Sequence, residues 1–243
     1  MTTVSRRHLL LAGAGLLLAP ALPVHAAKPS ARSALIVVDV QNDFMPGGAL
    51  AVPGGDEIVP GVNALMERFA DEGLTVVLTQ DWHPAGHRSF ASAHRGKRPF
   101  DPHEEPGVGP VLWPDHCVQE SLGADFHPAL RTGLAHVVLR KGTRRGVDSY
   151  SGFLENDRAT PTGLAGCLKD RGVKRIFVCG LALDYCVFFT AADGVRLGFE
   201  VFVLAELCRA VSPRPEDRSR IMDEMASIGI RVSVDTKGGG GQT

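Results

Sequence analysis

The sequence has no excess of charge of either sign, and it contains no long basic run. Its 243 residues include 26 Lys and Arg against 27 Asp and Glu, for a formal net charge of −1 at pH 7. Proteins that bind a nucleic-acid backbone need clustered positive charge, so nucleic acid is not an expected partner. Low-complexity sequence is scarce, and 44% of the residues are hydrophobic. This composition favours one globular domain, or a compact pair, with a small-molecule ligand.

The chain also lacks an even set of cysteines. There are five of them: Cys117, Cys167, Cys179, Cys186 and Cys208. Because the number is odd, at least one sulfur must remain outside intramolecular disulfides. Cys167 falls in a helical pattern and Cys179 ends an apolar run, so both are predicted to be buried packing residues.

The first 26 residues have the pattern of an export signal. Arg6 and Arg7 precede an apolar segment, which ends in small residues at Ala26. A membrane anchor or a buried N-terminal helix is the alternative, but the segment is short for a membrane span and contains Pro20. The pattern resembles a twin-arginine signal cleaved after Ala26, and it predicts a periplasmic or extracellular protein without membrane contact after cleavage. A cytoplasmic protein is the alternative.

Five short runs rich in Val, Ile or Leu alternate with helical patterns along the rest of the chain. Such runs are typical of strands that are buried on both faces of a parallel sheet. They occupy residues 34–40, 74–80, 136–142, 175–180 and 199–205.

Two helical segments support a doubly wound α/β sheet. Apolar residues recur at helical spacing over residues 56–71. A second helix is predicted to be capped by Thr160, to carry Pro161 in its first turn and to end at Gly172. The folded domain is expected to span residues 27–236, followed by a flexible glycine-rich tail over residues 237–243.

The glycine-rich turn of a dinucleotide-binding domain is missing after the first predicted strand. That turn must follow the strand directly. Here the stretch "VDVQNDFMPGG" places carboxylates where an approaching pyrophosphate would be repelled. No organic cofactor is therefore expected.

Polar residues that can carry chemistry follow each of the first four predicted strands. Asp39 ends the first strand, Asp81 and His83 follow the second, Lys141 follows the third, and Cys186 follows the fourth. The carboxyl ends of strands in a doubly wound sheet line one crevice, so these groups are expected to meet.

The stretch "TQDWHPAGHRSF" contains an aspartate and two histidines within a few residues. Taken alone, it is either a polar loop with incidental imidazoles or part of a metal site formed by Asp81, His83 and His87.

Five motifs, in order, resemble those of a known enzyme family. They are "VVDVQNDF", "TQDWHP", "WPDHC", "RKGTRRGVDSYSGF" and "CGLALDYCV". Together they resemble the isochorismatase-like cysteine hydrolases, and most closely the nicotinamidases, also called pyrazinamidases. The resemblance implies a Rossmann-like, mainly parallel sheet of about six strands with helices on both faces. It also implies an amidase that converts nicotinamide to nicotinate and ammonia.

The resemblance assigns a catalytic triad to three of these residues. Cys186 would be the nucleophile, Lys141 the cation that favours its thiolate, and Asp39 the group that moves protons. The backbone N–H groups of Ala182 and Cys186 would form the oxyanion hole, and the Leu181–Ala182 peptide would be cis.

The resemblance also implies a metal site and a ring-binding pocket. Its ligands would be Asp81, His83, His87 and His116, which suit one divalent ion of zinc, iron(II) or manganese. The ion would orient the pyridine ring of the substrate. The residues expected to contact the substrate are Phe44, Trp113 and Leu181, and Leu183 stands where relatives often have threonine. The other histidines beyond the signal are predicted to be surface or loop residues: His94, His103, His127 and His136.

Two other functions remain open. One is a related hydrolase that acts on the vinyl ether of isochorismate or on an N-carbamoyl compound. The other is an exported metal- or ligand-binding protein without catalysis. The paired Asp81 and His83 with His87 favour a nicotinamidase, and the complete set Asp39, Lys141 and Cys186 argues against a protein without catalysis. The sequence leaves the oligomeric state open.

Overall fold

A computed structural model describes residues 29–233 of the protein. The predicted export signal and the glycine-rich tail lie outside these residues. Within the described range, none of the helices has the length and apolar character that a membrane crossing requires.

Within the described range, six strands form one parallel sheet, as expected. The strands are β1 (Ser33–Val38), β2 (Thr75–Asp81), β5 (Val137–Lys141), β6 (Arg175–Leu181), β7 (Glu200–Arg209) and β8 (Arg231–Ser233). The five predicted apolar runs coincide with the first five of these strands. Every residue of β1 is buried, as the continuous apolar run predicted for a central strand. Two further strands, β3 (Pro102–Glu105) and β4 (Gly109–Val111), form a separate antiparallel pair that was not predicted.

The order of the strands places the chemistry-bearing residues together. The sheet order is β5-β2-β1-β6-β7-β8. The chain adds β2 and β5 on one side of β1, and then adds β6, β7 and β8 on the other side. The direction reverses between β1 and β6, which are neighbours in parallel register. Ligands of doubly wound sheets bind beyond the carboxyl ends of the strands at this reversal point. Asp39 follows β1 and Cys186 follows β6, so both lie there.

Four α-helices connect the strands, and one of them begins later than expected. They are α1 (Val59–Asp71), α2 (Leu164–Asp170), α3 (Phe188–Arg196) and α4 (Pro215–Ser227), counted over the described residues. A 3-10 turn over Gly55–Ile58 leads into α1, so this helical segment matches its prediction. The chain turns at Gly172 after α2, also as predicted.

The predicted start of α2 at Thr160 and Pro161 is wrong. The helix begins at Leu164, and Gly163 precedes it in a left-handed conformation with φ of 97°. Thr160 instead belongs to a turn in which the carboxylate of Asp157 accepts its N–H at 2.9 Å and its hydroxyl at 2.8 Å. The side chain of Asp157 competes for the backbone at this point, so the chain turns before it enters the helix.

Candidate active site

A pocket of about 350 Å³, including its open mouth, lies at the carboxyl ends of the strands. Seven of its lining residues were predicted from the sequence: Phe44, Asp81, His83, Trp113, His116, Ala182 and Cys186. Five others were not: Leu50, Asp148, Tyr150, Tyr185 and Val211. The aromatic and aliphatic walls with a few polar groups are typical of a small-molecule site.

Lys141 is the centre of a buried charge cluster below this pocket. It ends β5 opposite Asp81 on β2, and its Nζ lies 2.5 Å from Asp81 Oδ1 and 2.8 Å from Asp39 Oδ2. The same ammonium donates to the carbonyl of Ser149 at 2.9 Å and approaches Cys186 Sγ at 3.3 Å. Burial lowers the pKa of Lys141, but the two carboxylates outweigh that effect and raise it well above its usual range. Lys141 is therefore a permanent cation shared by two carboxylates.

Asp39 is held in a conformation that is uncommon for a residue other than glycine. Its φ is 48°, in the left-handed region, and its side chain is fully buried. The hydroxyl of Thr79 donates to Asp39 Oδ1 at 2.6 Å, which fixes the orientation of the carboxylate. Burial, opposed by Lys141 and reinforced by Asp81, raises the pKa of Asp39 to about 6. A carboxyl group with this pKa can both accept and return a proton near neutral pH.

Cys186 lies in a π-helical turn between β6 and α3. The turn spans Leu183–Val187, and the N–H of Val187 donates to the carbonyl of Ala182 at 3.1 Å. Such turns are rare and recur at functional sites. The Leu181–Ala182 peptide is cis, as the resemblance implied.

Burial disfavours the ionised form of the Cys186 thiol. Burial raises its pKa well above the usual range, the charge of Lys141 lowers it, and the nearby Asp39 and Asp81 raise it further. The charge of Lys141 therefore acts in favour of the thiolate, whereas burial and the two carboxylates oppose it. A thiolate must form by proton transfer to Asp39, since the reactive atoms of Asp39, Asp81 and Cys186 lie within 4.8 Å of one another.

Three side chains present metal-binding atoms to one point of the pocket. His83 Nδ1 donates to the carbonyl of Gly142 at 3.0 Å, and His116 Nδ1 donates to the carbonyl of Pro114 at 2.8 Å. Each hydrogen bond leaves Nε2 as the nitrogen with the lone pair. These nitrogens lie 3.8 Å and 3.9 Å from Asp81 Oδ2. Burial lowers the pKa of His83 well below its usual range, so its imidazole is neutral, as a ligand must be.

His87 does not present a free nitrogen to this point. Its Nε2 donates to the carbonyls of Arg144 and Val147 at 2.9 Å and 3.2 Å, and its Nδ1 accepts the N–H of Ser89 at 3.2 Å. The ring packs beside His83, with 4.4 Å between centroids. Both nitrogens of His87 are thus hydrogen-bonded to the protein, but a donor atom of His87 lies within 4.8 Å of His83 and Asp148. The place of His87 among the four predicted ligands stays a prediction.

Asp148 is a buried carboxylate that the sequence reasoning missed. Its Oδ1 lies 3.9 Å from His83 Nε2 and accepts the N–H of Ser149 at 2.8 Å. Burial, together with the charge of Asp81, raises the pKa of Asp148 to about 7. It belongs to the quoted motif "RKGTRRGVDSYSGF", but it lies in a turn where no periodic spacing marks it.

The aromatic walls of the pocket are partly as predicted. Phe44 and Trp113 are both buried, and the centre of the Phe44 ring lies 5.6 Å from that of His116. The indole of Trp113 donates to the hydroxyl of Tyr150 at 3.1 Å, and its ring meets that of Tyr185 edge-on at 4.8 Å. The two tyrosines complete the wall.

Leu181, a predicted substrate contact, does not line the pocket. This side chain is fully buried and packs towards Gly55, behind the pocket. Leu183 is likewise buried and is absent from the pocket lining. Residues at successive positions after β6 point in different directions, which explains why only Ala182 and Cys186 of this segment, with Tyr185, reach the cavity.

Comparison with known proteins agrees with this geometry. The isochorismatase domain model matches residues 33–233. The chain belongs to the isochorismatase family. Within the family, a nicotinamidase of Acinetobacter baylyi is 50% identical over 206 residues, which cover 85% of this chain and 94% of that relative.

Two solved structures of similar proteins contain small ligands. PnC1 from L. infantum in complex with nicotinate has a TM-score of 0.72 and 39% identity, over 85% of this chain and 95% of that one. The pyrazinamidase of Pyrococcus horikoshii in complex with zinc has a TM-score of 0.68 and 41% identity, over 83% of this chain and 98% of that one. This member of the isochorismatase family therefore shares its fold with proteins that bind nicotinate and zinc.

Proposed function

We propose that the protein is a metal-dependent nicotinamidase, which hydrolyses nicotinamide to nicotinate and ammonia and also accepts pyrazinamide. The observation that carries the proposal is the position of Cys186. Its thiol lies 3.3 Å from Lys141 Nζ and close to Asp39, in a pocket that Asp81, His83 and His116 also line. Similarity to the A. baylyi nicotinamidase supports the choice of substrate.

The first half of the reaction forms a thioester. Asp39 accepts the proton of the Cys186 thiol, and the sulfur attacks the carboxamide carbon. The N–H groups of Ala182 and Cys186 stabilise the oxygen that becomes negative. Asp39 then returns the proton to the departing nitrogen, the C–N bond breaks, and ammonia leaves. The positive charge of Lys141 offsets the negative charge of Asp39 and Asp81 while the proton moves.

The second half restores the thiol. Asp39 takes a proton from water, and the resulting hydroxide attacks the thioester carbon. The C–S bond breaks, the proton returns from Asp39 to the sulfur, and nicotinic acid leaves and gives up its own proton to solvent as nicotinate. One carboxyl group with a pKa of about 6 can serve in both halves because it is neither strongly acidic nor strongly basic near neutral pH.

One carboxylate and two imidazoles of the pocket lining fit a divalent metal ion. Asp81, His83 and His116 would hold it through one carboxylate oxygen and two imidazole nitrogens, a donor set suited to zinc, iron(II) or manganese. The bound ion would supply a Lewis-acidic anchor for the ring nitrogen of the substrate. Phe44 and Trp113 confine the ring between apolar surfaces, so the carboxamide lies over Cys186. We propose zinc, since a similar pyrazinamidase was solved with zinc.

Release of ammonia by the purified protein tests this function. Nicotinamide should give equal amounts of ammonia and nicotinate, whereas isochorismate and N-carbamoyl compounds should not react. Cys186→Ala should abolish turnover, and Cys117→Ala is the matched control because Cys117 lies outside the pocket lining. Turnover of isochorismate alone would favour the related hydrolase, and binding of zinc without turnover of any amide would favour a protein without catalysis.

We also propose that the protein is exported through its N-terminal segment. The support is the pair Arg6 and Arg7 ahead of an apolar stretch that ends at Ala26. Twin-arginine export would allow the metal site to form before translocation. Replacement of both arginines by lysine should retain the protein in the cytoplasm of a bacterial host, as measured by fractionation. Wild-type protein found only in the cytoplasm with residues 1–26 attached would contradict export.

A further inference from the structure

A second cluster of metal-binding side chains lies outside the pocket. His94, which follows the 3-10 turn Ala91–Ala93, meets His103 and Glu105 of β3. The donor atoms of the three side chains lie within 4.8 Å of one another, and the two imidazole rings are 4.5 Å apart. The sequence predicted His94 and His103 to be unconnected surface or loop residues. The hairpin of β3 and β4, which was not predicted, is what brings them together.

A hydrogen bond to the backbone leaves one ring nitrogen of His94 able to bind a cation. His94 Nε2 donates to the carbonyl of Arg88 at 2.7 Å, which leaves Nδ1 with the lone pair when the ring is neutral. Metal-binding histidines usually donate their other ring nitrogen to a carbonyl in this way.

Glu105 is oriented by the side chain of Arg88. The guanidinium donates to Oε1 at 3.1 Å and to Oε2 at 2.7 Å. These hydrogen bonds from Arg88 hold the pKa of Glu105 at about 2, so the carboxylate is ionised at neutral pH. A carboxylate that binds a metal is commonly hydrogen-bonded by a neighbour, and an oxygen held by Arg88 keeps further lone pairs for a cation.

We propose that His94, His103 and Glu105 form a second binding site for a divalent transition metal ion. His103 Nε2 now contacts Glu105 Oε2 at 3.0 Å. The ion replaces this hydrogen bond: it binds Nε2 of the neutral His103 ring, whose proton moves to Nδ1, together with the Glu105 carboxylate and His94. Two imidazoles and one carboxylate suit zinc, and waters complete its coordination. The side chains of His103 and Glu105 are 16% and 29% exposed, so an ion reaches them from solvent.

The position of the site gives it a structural role. The segment between His87 and His94 pairs with Trp113 of the pocket wall. The N–H of Ala91 donates to the carbonyl of Trp113, and the N–H of Trp113 donates to the carbonyl of Ser89, both at 2.8 Å. An ion at the second site joins this segment to β3. It therefore stabilises the wall of the pocket without contacting the substrate.

Counting bound zinc tests the second site separately from the pocket. After extensive chelation, the full chain is titrated with zinc against a chromogenic chelator, and the bound ions are counted by native mass spectrometry. Wild type should bind two ions per chain, and His103→Ala should bind one. His127→Ala is the matched control, because His127 belongs to neither cluster, and it should still bind two.

A second pair of variants isolates the site. His83→Ala with His116→Ala removes the pocket ligands, so this double variant should bind one zinc ion and should melt at a higher temperature when zinc is present. Addition of His103→Ala should abolish both effects. Wild type that binds a single ion, or a second ion that remains in His103→Ala, would overturn the proposal. Should the double variant fail to fold, the comparison of wild type with His103→Ala still decides.

Discussion

Replacement of Lys141 by methionine should damage both the stability and the activity of the protein. The ammonium is completely buried and lies 2.5 Å and 2.8 Å from two carboxylates. Its removal leaves Asp39 and Asp81 buried together without a cation. Breaking a buried ion pair from one side costs about 3–5 kcal/mol in the free energy of unfolding. For a protein of this size, such a loss lowers the melting temperature by about 6–20 °C.

The same substitution should raise the pKa of Asp39, because the charge of Lys141 lowers it in the wild type. Asp39 then holds its proton at neutral pH and cannot accept one from Cys186. We expect kcat for nicotinamide to fall by about 100-fold or more, the range typical of lost acid–base catalysis. Melting is followed by circular dichroism, and turnover by ammonia release below the melting transition.

Lys169→Met is the matched control. Lys169 lies on α2 and is exposed, so its replacement should leave the melting temperature and kcat within experimental error of wild type. A Lys141→Met protein with wild-type kcat would refute the role given to Lys141. A loss of stability with unchanged kcat would show that the cation serves only the fold.

Four further substitutions test separate parts of the site. His83→Ala should lower zinc affinity more than about 100-fold, and His87→Ala only about tenfold, because both ring nitrogens of His87 are hydrogen-bonded to the protein whereas Nε2 of His83 keeps its lone pair; equal losses in chelator competition would contradict these hydrogen bonds. Since Asp39 must be ionised to act, kcat/KM should fall as the pH drops through about 6, and Thr79→Val should move this limb about one pH unit higher. A pH profile unchanged by Thr79→Val would refute that hydrogen bond's effect. Asp148→Asn replaces a carboxyl group 3.9 Å from His83 Nε2 by one that cannot ionise and should weaken zinc binding about tenfold above pH 7, whereas unchanged affinity would exclude an electrostatic role.

The sheet and the groups at its strand ends were predictable from the sequence. Continuous apolar runs are typical of buried parallel strands, and the groups that follow them must converge at the reversal of strand order. Asp39, Asp81, Lys141 and Cys186 therefore meet as predicted. The family motifs added residues that no periodicity marks, such as His116 and Trp113.

The parts that could not be predicted depend on contacts between distant loops. The bonding of His87 is decided by carbonyls at Arg144 and Val147, which lie far away in the sequence. Asp148 enters the pocket from a turn, and His103 reaches His94 only through a short hairpin. The ionisation of the thiol also depends on the balance of two carboxylates against one ammonium, which is visible only when their distances are known.

Capture of the intermediate on Cys186 tests the central claim most directly. The metal-loaded protein is mixed with nicotinamide, quenched in acid within milliseconds, digested and analysed by mass spectrometry. The account predicts one nicotinoyl group on the peptide that contains Cys186, formed as ammonia is released and lost as nicotinate appears. Two results would contradict it: turnover of nicotinamide without any acyl group on this cysteine, or turnover that persists in Cys186→Ala.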